Sequence, residues 1–207
     1  MQITRITGGP LPTNCYFLKD DATGASAVVD PGFRSGELSE LACRDGKVEA
    51  ILLTHGHFDH ISGAAKLQRE TGARIYLPAD ELPFVTDSAL NLAGAFFESA
   101  VELFRVDVPL NDGDAVRLGS LELRVLRTPG HTVGGCCYVV GDAIFSGDTL
   151  MKLSCGRTDC PTGSGSQMAD SLRRLAGLKG DYRVLPGHGP ETTLDFERRN
   201  NPFLESL

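Results

Sequence analysis

The chain is 207 residues long, 41% hydrophobic and 23% charged, and its 27 acidic against 20 Lys and Arg residues give a formal net charge of −7. That length and composition suit one soluble globular unit with a substantial core, and residues 1–207 are read as a single domain. The acidic balance speaks against nucleic acid as a partner, since phosphate backbones are held by clustered Lys and Arg. No apolar run approaches the roughly 18–20 residues that span a bilayer.

The first residues, MQITRITGGP, lack the charged-then-apolar pattern of an export leader, so a cytoplasmic location is expected. Strands are expected at Gln2–Thr7, Asn14–Leu18 and Ser26–Val29, then a helix over Ser35–Arg44 and a strand over Val48–Leu53. A helix over Asp59–Thr71 follows, with Ile61, Ala64, Ala65 and Leu67 suited to pack on a sheet. Next come a strand at Arg74–Leu77 and a helix over Asp87–Ala100. Strands follow at Ala115–Arg117, Leu121–Leu126, Cys136–Val140 and Ala143–Phe145, then a helix over Ser166–Leu178 and a strand at Arg183–Leu185. NDGD at 111–114 and LGS at 118–120 read as hairpin turns. PTGSGSQMAD at 161–170 lacks the GK[ST] of a nucleotide loop and reads as a loop in which Ser164 or Ser166 caps the next helix. Many strands with a few interleaved helices give a mixed α/β fold, with sheets covered by helices. The six cysteines form no CxxC pair, which suits free thiols in a reducing compartment.

Histidine is the informative residue. The chain has five. Three lie in THGHFDH at 54–60, and the other two, His131 and His188, each follow a Pro-Gly pair. The cluster follows the apolar strand VEAILL, where α/β proteins commonly place their chemistry. In extended backbone His55 and His57 share a face and can converge on one ion; Asp59 and His60, at the turn into the helix, can point at a second. Imidazole and carboxylate suit zinc, iron or manganese. Asp148, after the strand in FSGDTL, offers a carboxylate whose two oxygens can bridge two ions. Seven residues thus make a complete two-ion site that uses every histidine.

The sequence resembles the metallo-β-lactamase superfamily through THGHFDH, TPGHT, FSGDTL and PGHGP, in that order. The resemblance implies a four-layer αββα sandwich with the metals at one edge of its two sheets. It implies that His55, His57 and His131 hold one ion, that Asp59, His60 and His188 hold the other, and that Asp148 bridges them. Within the superfamily, GDTLMKLSCGRTDCPTG and PGHGPETTLDFERRNNPFL look like the glyoxalase II group, the hydroxyacylglutathione hydrolases, in a short single-domain bacterial branch. A separate C-terminal helical domain for glutathione is not expected, and the tyrosines that other members place near the thiol tripeptide have no counterpart. Arg157 matches a basic glutathione-contacting position, and is read as the contact for a substrate carboxylate, with Lys152 as a lesser candidate.

The resemblance implies a hydrolase of small-molecule acyl thioesters such as S-D-lactoylglutathione. Two divalent ions, zinc first with iron or manganese as alternatives, would lower the pKa of a shared water to give a bridging hydroxide and would polarise the acyl carbonyl. Asp59 and Asp148 are the catalytic carboxylates in this reading, Asp59 orienting the nucleophile. A thiolate leaves without a strong general acid, which favours thioesters over amides. The rivals are a β-lactamase, a mononuclear-iron persulfide dioxygenase, a hydrolase of other small esters without glutathione specificity, and a metal-dependent binding scaffold. Residues 87–104 read either as a wall or lid over the site, with Phe96, Phe97 and Phe104, or as core helix. Cys136 and Cys137 read as core.

Overall fold

The structure is a computed structural model that describes residues 1–44, 48–96 and 101–205. The first part of the chain contributes β1 (Gln2–Gly8), β2 (Thr13–Lys19), β3 (Ser26–Val29), α1 (Gly36–Arg44), β4 (Val48–Leu52), α2 (Phe58–Ile61), α3 (Ala64–Thr71) and β5 (Arg74–Pro78). A 3₁₀ segment (Ala79–Val85), α4 (Ala93–Phe96) and β6 (Val108–Leu110) follow. The second part contributes β7 (Ala115–Leu118), β8 (Leu121–Arg127), β9 (Cys136–Val140), β10 (Ala143–Gly147), β11 (Leu150–Met151), β12 (Ser154–Cys155) and α5 (Gly165–Ala176). It ends with β13 (Arg183–Pro186), β14 (Thr192–Thr193), α6 (Leu194–Asn200) and α7 (Pro202–Glu205).

Strands β1 to β6 form one sheet in chain order, antiparallel up to β3 and parallel from β3 to β6. The second sheet runs β14-β13-β10-β9-β8-β7, with β13 parallel to β10 and the other neighbours antiparallel. A two-stranded ribbon, β11 with β12, stands apart.

The central strands of each sheet are buried on both faces, and the period-2 geometry of a strand sorts their side chains between them. In β2, Tyr16 and Leu18 pack between the sheets, while Cys15 and Phe17 pack under α1, α2 and α3 with Leu38, Phe58 and Leu67. In β9, Cys136, Tyr138 and Val140 face the first sheet; Cys137 and Val139 face Met168, Leu172 and Leu175 of α5 and Leu194 of α6. Three apolar layers therefore separate four layers of secondary structure, the αββα order expected. All six cysteines are free, and Cys136 and Cys137 are core residues.

Several elements differ from the sequence reading. The Asp59–Thr71 helix is two helices, α2 and α3. The Gly63 N–H donates to the Pro31 carbonyl (2.7 Å) rather than one turn back, so the 31–33 loop interrupts the ladder. Of the expected Asp87–Ala100 helix, the described residues 87–96 are helical only at α4. The Asp87 carboxylate accepts from the N–H groups of Ala89 (2.9 Å) and Leu90 (3.2 Å), a local turn that competes with helix; residues 97–100 lie outside the described residues. NDGD is not a hairpin turn but the crossover from β6 in one sheet to β7 in the other, whereas LGS does join β7 to β8. Ser164 caps α5, accepting from the Gln167 N–H at 3.4 Å. Among the described residues no helix is long and apolar enough to cross a membrane.

Candidate metal centre

The seven side chains singled out in the sequence meet at one edge of the two sheets. His55, His57, Asp59 and His60 lie on the loop after β4 and on α2. His131 follows β8, Asp148 follows β10 and His188 follows β13. All but His188 are buried. Their ligand atoms form three close groups: His55 with His57 and His131, His55 with His60 and Asp148, and Asp59 with His60 and His188, each within 4.8 Å.

Asp148 sits among the rest. Its Oδ1 is 3.5 Å from His60 Nε2, and its Oδ2 is 3.4 Å from His131 Nε2 and 3.5 Å from His188 Nε2. Asp59 Oδ2 is 3.1 Å from His188 Nε2 and 3.7 Å from His60 Nε2. His57 Nδ1 and His131 Nε2 face each other at 2.9 Å.

The Pro-Gly pairs have a steric explanation. Gly130 has φ +136°, and a Cβ there would lie 2.4 Å from the Met168 backbone nitrogen. A Cβ at Gly187 would lie 2.4 Å from Asp148 Oδ1 and 2.5 Å from the His60 ring. Each histidine is thus delivered by a turn that passes too close to its neighbours for any side chain.

The outer nitrogens fix the ring orientations. His131 Nδ1 donates to the Arg157 carbonyl (2.7 Å) and His188 Nδ1 to the Pro12 carbonyl (3.0 Å). His60 Nδ1 donates to Asp30 Oδ2 (2.9 Å). The single hydroxyl proton of Thr54 goes to the same Asp30 oxygen (2.7 Å), so the Thr54 oxygen accepts from His55 Nδ1 (3.1 Å). Four of the five rings are thereby held with Nε2 turned inward, the tautomer a metal ligand needs. The Nε2 atoms of His55, His57 and His60 and Oδ1 of Asp148 are buried without a hydrogen-bond partner. Orphaned buried polar atoms are costly, and divalent cations at this cluster would satisfy those of His55, His60 and Asp148, while His57 presents its Nδ1 to the cluster. The residues therefore fit the ions that the sequence implied.

The protonation states differ across the cluster. Burial, reinforced by neighbouring histidines, holds His55 well below the usual imidazole range, and burial followed by His131 lowers His57 to about 3. Burial also opposes protonation of His60, but Asp148, Asp59 and Asp30 outweigh it and raise that ring to about 10. At His188 burial is likewise overcome, by Asp59 and Asp148, and the ring is shifted upward. Asp59 is held below the carboxylate range, its burial outweighed by His60, His188 and His57.

Two carboxylates that the sequence reading passed over complete the site. Asp30 is buried, has φ +48°, and binds the N–H and hydroxyl of Thr54 as well as His60. Its signal was present: AVVDPG ends an apolar strand in an acid, the same pattern that picked out Asp148. Glu81 is fully buried in the 3₁₀ segment, and its contacts, made across long stretches of chain, left no local signature.

A cleft of about 310 Å³ opens onto the ligands, walled by Leu11, Leu92, Phe96 and Met151 on its apolar side and reaching Arg157 and Cys160. Residues 87–104 thus serve both expected roles, since Leu92 and Phe96 line the cleft while Ala93 and Val101 belong to the core. Phe97 lies outside the described residues. Arg157 does reach the cleft, but its guanidinium is forked onto Asp159 (2.7 and 2.9 Å), and it is its backbone carbonyl that supports His131. The Lys152 ammonium lies over the Phe196 ring, and Lys152 is not among the cleft residues.

Comparison with known proteins agrees with this construction. Residues 8–188 match the sequence model of the metallo-beta-lactamase superfamily. The chain is 34% identical to a hydroxyacylglutathione hydrolase, GloC, of Haemophilus influenzae, over 93% of each protein. The crystal structure of the BLEG-1 B3 metallo-beta-lactamase superposes with a TM-score of 0.92 at 32% identity, covering 98% of this chain and 99% of that one. That of TTHA1623 in a di-iron-bound form gives 0.85 at 36% identity, covering 97% and 100%. The chain belongs to the metallo-beta-lactamase superfamily.

Proposed function

We propose that this member of the superfamily is a binuclear, metal-dependent hydrolase of small acyl thioesters, of the glyoxalase II type, acting as a single cytoplasmic domain. His55, His57 and His131 would hold one divalent ion, Asp59, His60 and His188 would hold the second, and Asp148 would serve both. Zinc is the first choice of metal; the di-iron neighbour keeps iron in view. The observation that carries this reading is the position of Asp148, whose two oxygens lie within 3.5 Å of ring nitrogens from both groups. Seven convergent ligands exceed what one ion takes in a three- or four-ligand site, so two ions suit the cluster better than a mononuclear iron.

Bound there, two divalent ions supply an activated water and a Lewis acid for the acyl oxygen. The chain supplies the rest. Asp59 Oδ2, with Thr13 Oγ1 nearby at 3.3 Å but its hydroxyl proton directed to the Leu11 carbonyl (2.6 Å), is placed to take a hydrogen bond from the attacking water and to orient it. The apolar wall of Leu11, Leu92, Phe96 and Met151 shields the scissile bond from bulk water. All five histidines are used in the cluster, so no free imidazole remains to protonate a leaving amine, and a thiolate leaves without that help. Arg157 is the contact for a substrate carboxylate, in competition with Asp159.

Support for the thioester reading comes from the hydroxyacylglutathione hydrolase relative. A second reading, hydrolysis of a lactam ring, is favoured by the high TM-score with the B3 enzyme. Steady-state turnover of S-D-lactoylglutathione and of a chromogenic cephalosporin by zinc-loaded protein, each with a chelator-treated control, tests both. Chelator-sensitive thioester turnover with a weak lactam rate is expected. Lactam turnover alone would replace the thioester reading, and no turnover of either by protein holding two ions would move the search to other small esters.

A further inference from the structure

Glu81 lies well outside the ligand motifs, on the 3₁₀ segment that follows β5, yet it touches both loops that carry the first group of histidines. Its Oε2 accepts from the Gly56 N–H at 2.8 Å, across 25 residues, and Gly56 stands between His55 and His57. Its Oε1 accepts from the Gly134 N–H at 2.7 Å, across 53 residues, on the loop that begins at His131. The residue has no exposed surface. The fit around it is tight: a Cβ at Gly134 would lie 2.8 Å from Glu81 Oε1, and one at Gly56 would lie 3.1 Å from Oε2.

Burying a carboxylate is expensive unless its oxygens are met by strong donors. Here each oxygen is met by the peptide N–H of a different ligand loop. The two loops come from different sheets. A backbone hydrogen bond from the Cys136 N–H to the Thr54 carbonyl (2.9 Å) joins them at one point, and the two-oxygen bridge of Glu81 adds a second tie at Gly56 and Gly134.

We propose that Glu81 is the positioning residue of the first ion site, its carboxylate clamping the 55–57 and 131–134 loops at the separation one ion requires. The proposal rests on the two-ion reading above. Glu197 is a matched control: it too is fully buried and accepts from a backbone N–H (Leu153, 2.8 Å) and from Thr192 and Asn201, but none of its partners neighbours a candidate ligand.

The test compares Glu81→Gln and Glu197→Gln with the wild type by zinc content, zinc affinity at each site in chelator competition, and amide hydrogen exchange of the metal-free proteins. Glutamine keeps the volume but turns an NH₂ group toward one of the two N–H donors. Glu81→Gln should weaken one of the two zinc sites by about 10–100-fold, the range for lost ligand support, and leave the other near wild type. Glu197→Gln should leave both affinities unchanged. In metal-free wild type the Gly56 and Gly134 amides should exchange slowly, and Glu81→Gln should speed both while Glu197→Gln speeds neither. Two zinc ions at wild-type affinity in Glu81→Gln, or unaltered exchange at both glycines, would overturn the clamp. Wild-type protein that binds fewer than two ions would overturn the binuclear reading itself; the exchange measurement needs no metal and would still decide the clamp.

Discussion

His55 and His57 are pushed toward the neutral ring, whereas His60 and His188 are shifted upward by the carboxylates they pair with. The first pair is poised for a cation at neutral pH. In the second set His60 must give up a proton before its Nε2 can bind one. The supports cut across this division, each kind serving one histidine of either site. His55 and His60 lean on a buried side chain, Asp30, directly or through Thr54; His131 and His188 lean on main-chain carbonyls. The contrast teaches that one cluster of similar ligands can hold two sites with different affinities, different pH dependence and different sensitivity to substitution.

Asp148 is the place where the contrast vanishes, and its loss should do most damage. Asp148→Ala should cut thioester hydrolysis by more than roughly 10³-fold, beyond the loss of a single stabilising donor, and lower bound metal at both sites. His131→Ala should instead empty only the first site and abolish turnover in a protein that still folds. Metal analysis beside circular dichroism separates the two outcomes; equal metal loss in both variants would erase the distinction between the sites.

Asp30→Asn strikes the side-chain support and leaves the carbonyl supports intact. Activity and metal affinity should fall by about 10–100-fold, as for other groups that hold a ligand from behind, and a variant with wild-type affinity would show that Thr54 alone orients His55. The protonation contrast predicts that zinc loading near pH 7 releases protons from the second set, with affinity there rising by about a decade per pH unit for each proton displaced. Calorimetry in buffers of different ionisation heat measures this. For the metal-free fold the sign is opposite. His60 is raised to about 10, so its contribution to stability is full below the unfolded imidazole pKa of roughly 6.5 and is lost as pH climbs through the folded value. Denaturant midpoints of chelated protein should therefore fall from pH 7 to pH 10.

The smallest effect is expected at Arg157, where an exposed pair with Asp159 contributes little to stability. Arg157→Ala should raise KM for a carboxylate-bearing thioester a few-fold with kcat unchanged, and Asp159→Ala should lower it by freeing the guanidinium. Equal KM in both variants would remove Arg157 from substrate binding.

Some of this was readable in the chain and some was not, for identifiable reasons. THGHFDH was legible because all four ligands lie within six residues on one strand end, so local geometry alone brings them together. His131, Asp148 and His188 were legible one at a time, from their rarity and their glycine turns; their meeting depends on two sheets facing each other. Asp30 carried a signal that went unused. Glu81 carried none, because what it does is fixed by peptide groups 25 and 53 residues away. That the start of the expected 87–100 helix is not helical was not legible, because an Asp87 turn looks the same as helix in apolar spacing, and α6 and α7, of 7 and 4 residues, are too short for periodicity to declare them.

The NDGD crossover has a consequence for the molecule as a whole. Every strand of the first sheet precedes it and every strand of the second follows it, so the chain is two successive halves laid face to face. Four of the seven ligand residues belong to the earlier half and three to the later. Along this seam Asn14 and Tyr16 reach across to the Pro186 carbonyl, and Tyr138 reaches back to that of Leu53. Ions bound there rivet the halves together, and by mass action each adds stability that grows with the logarithm of free metal. Scarcity of metal would then loosen the fold as well as silence the site, and the melting temperature of the protein becomes a gauge of how much metal its surroundings hold.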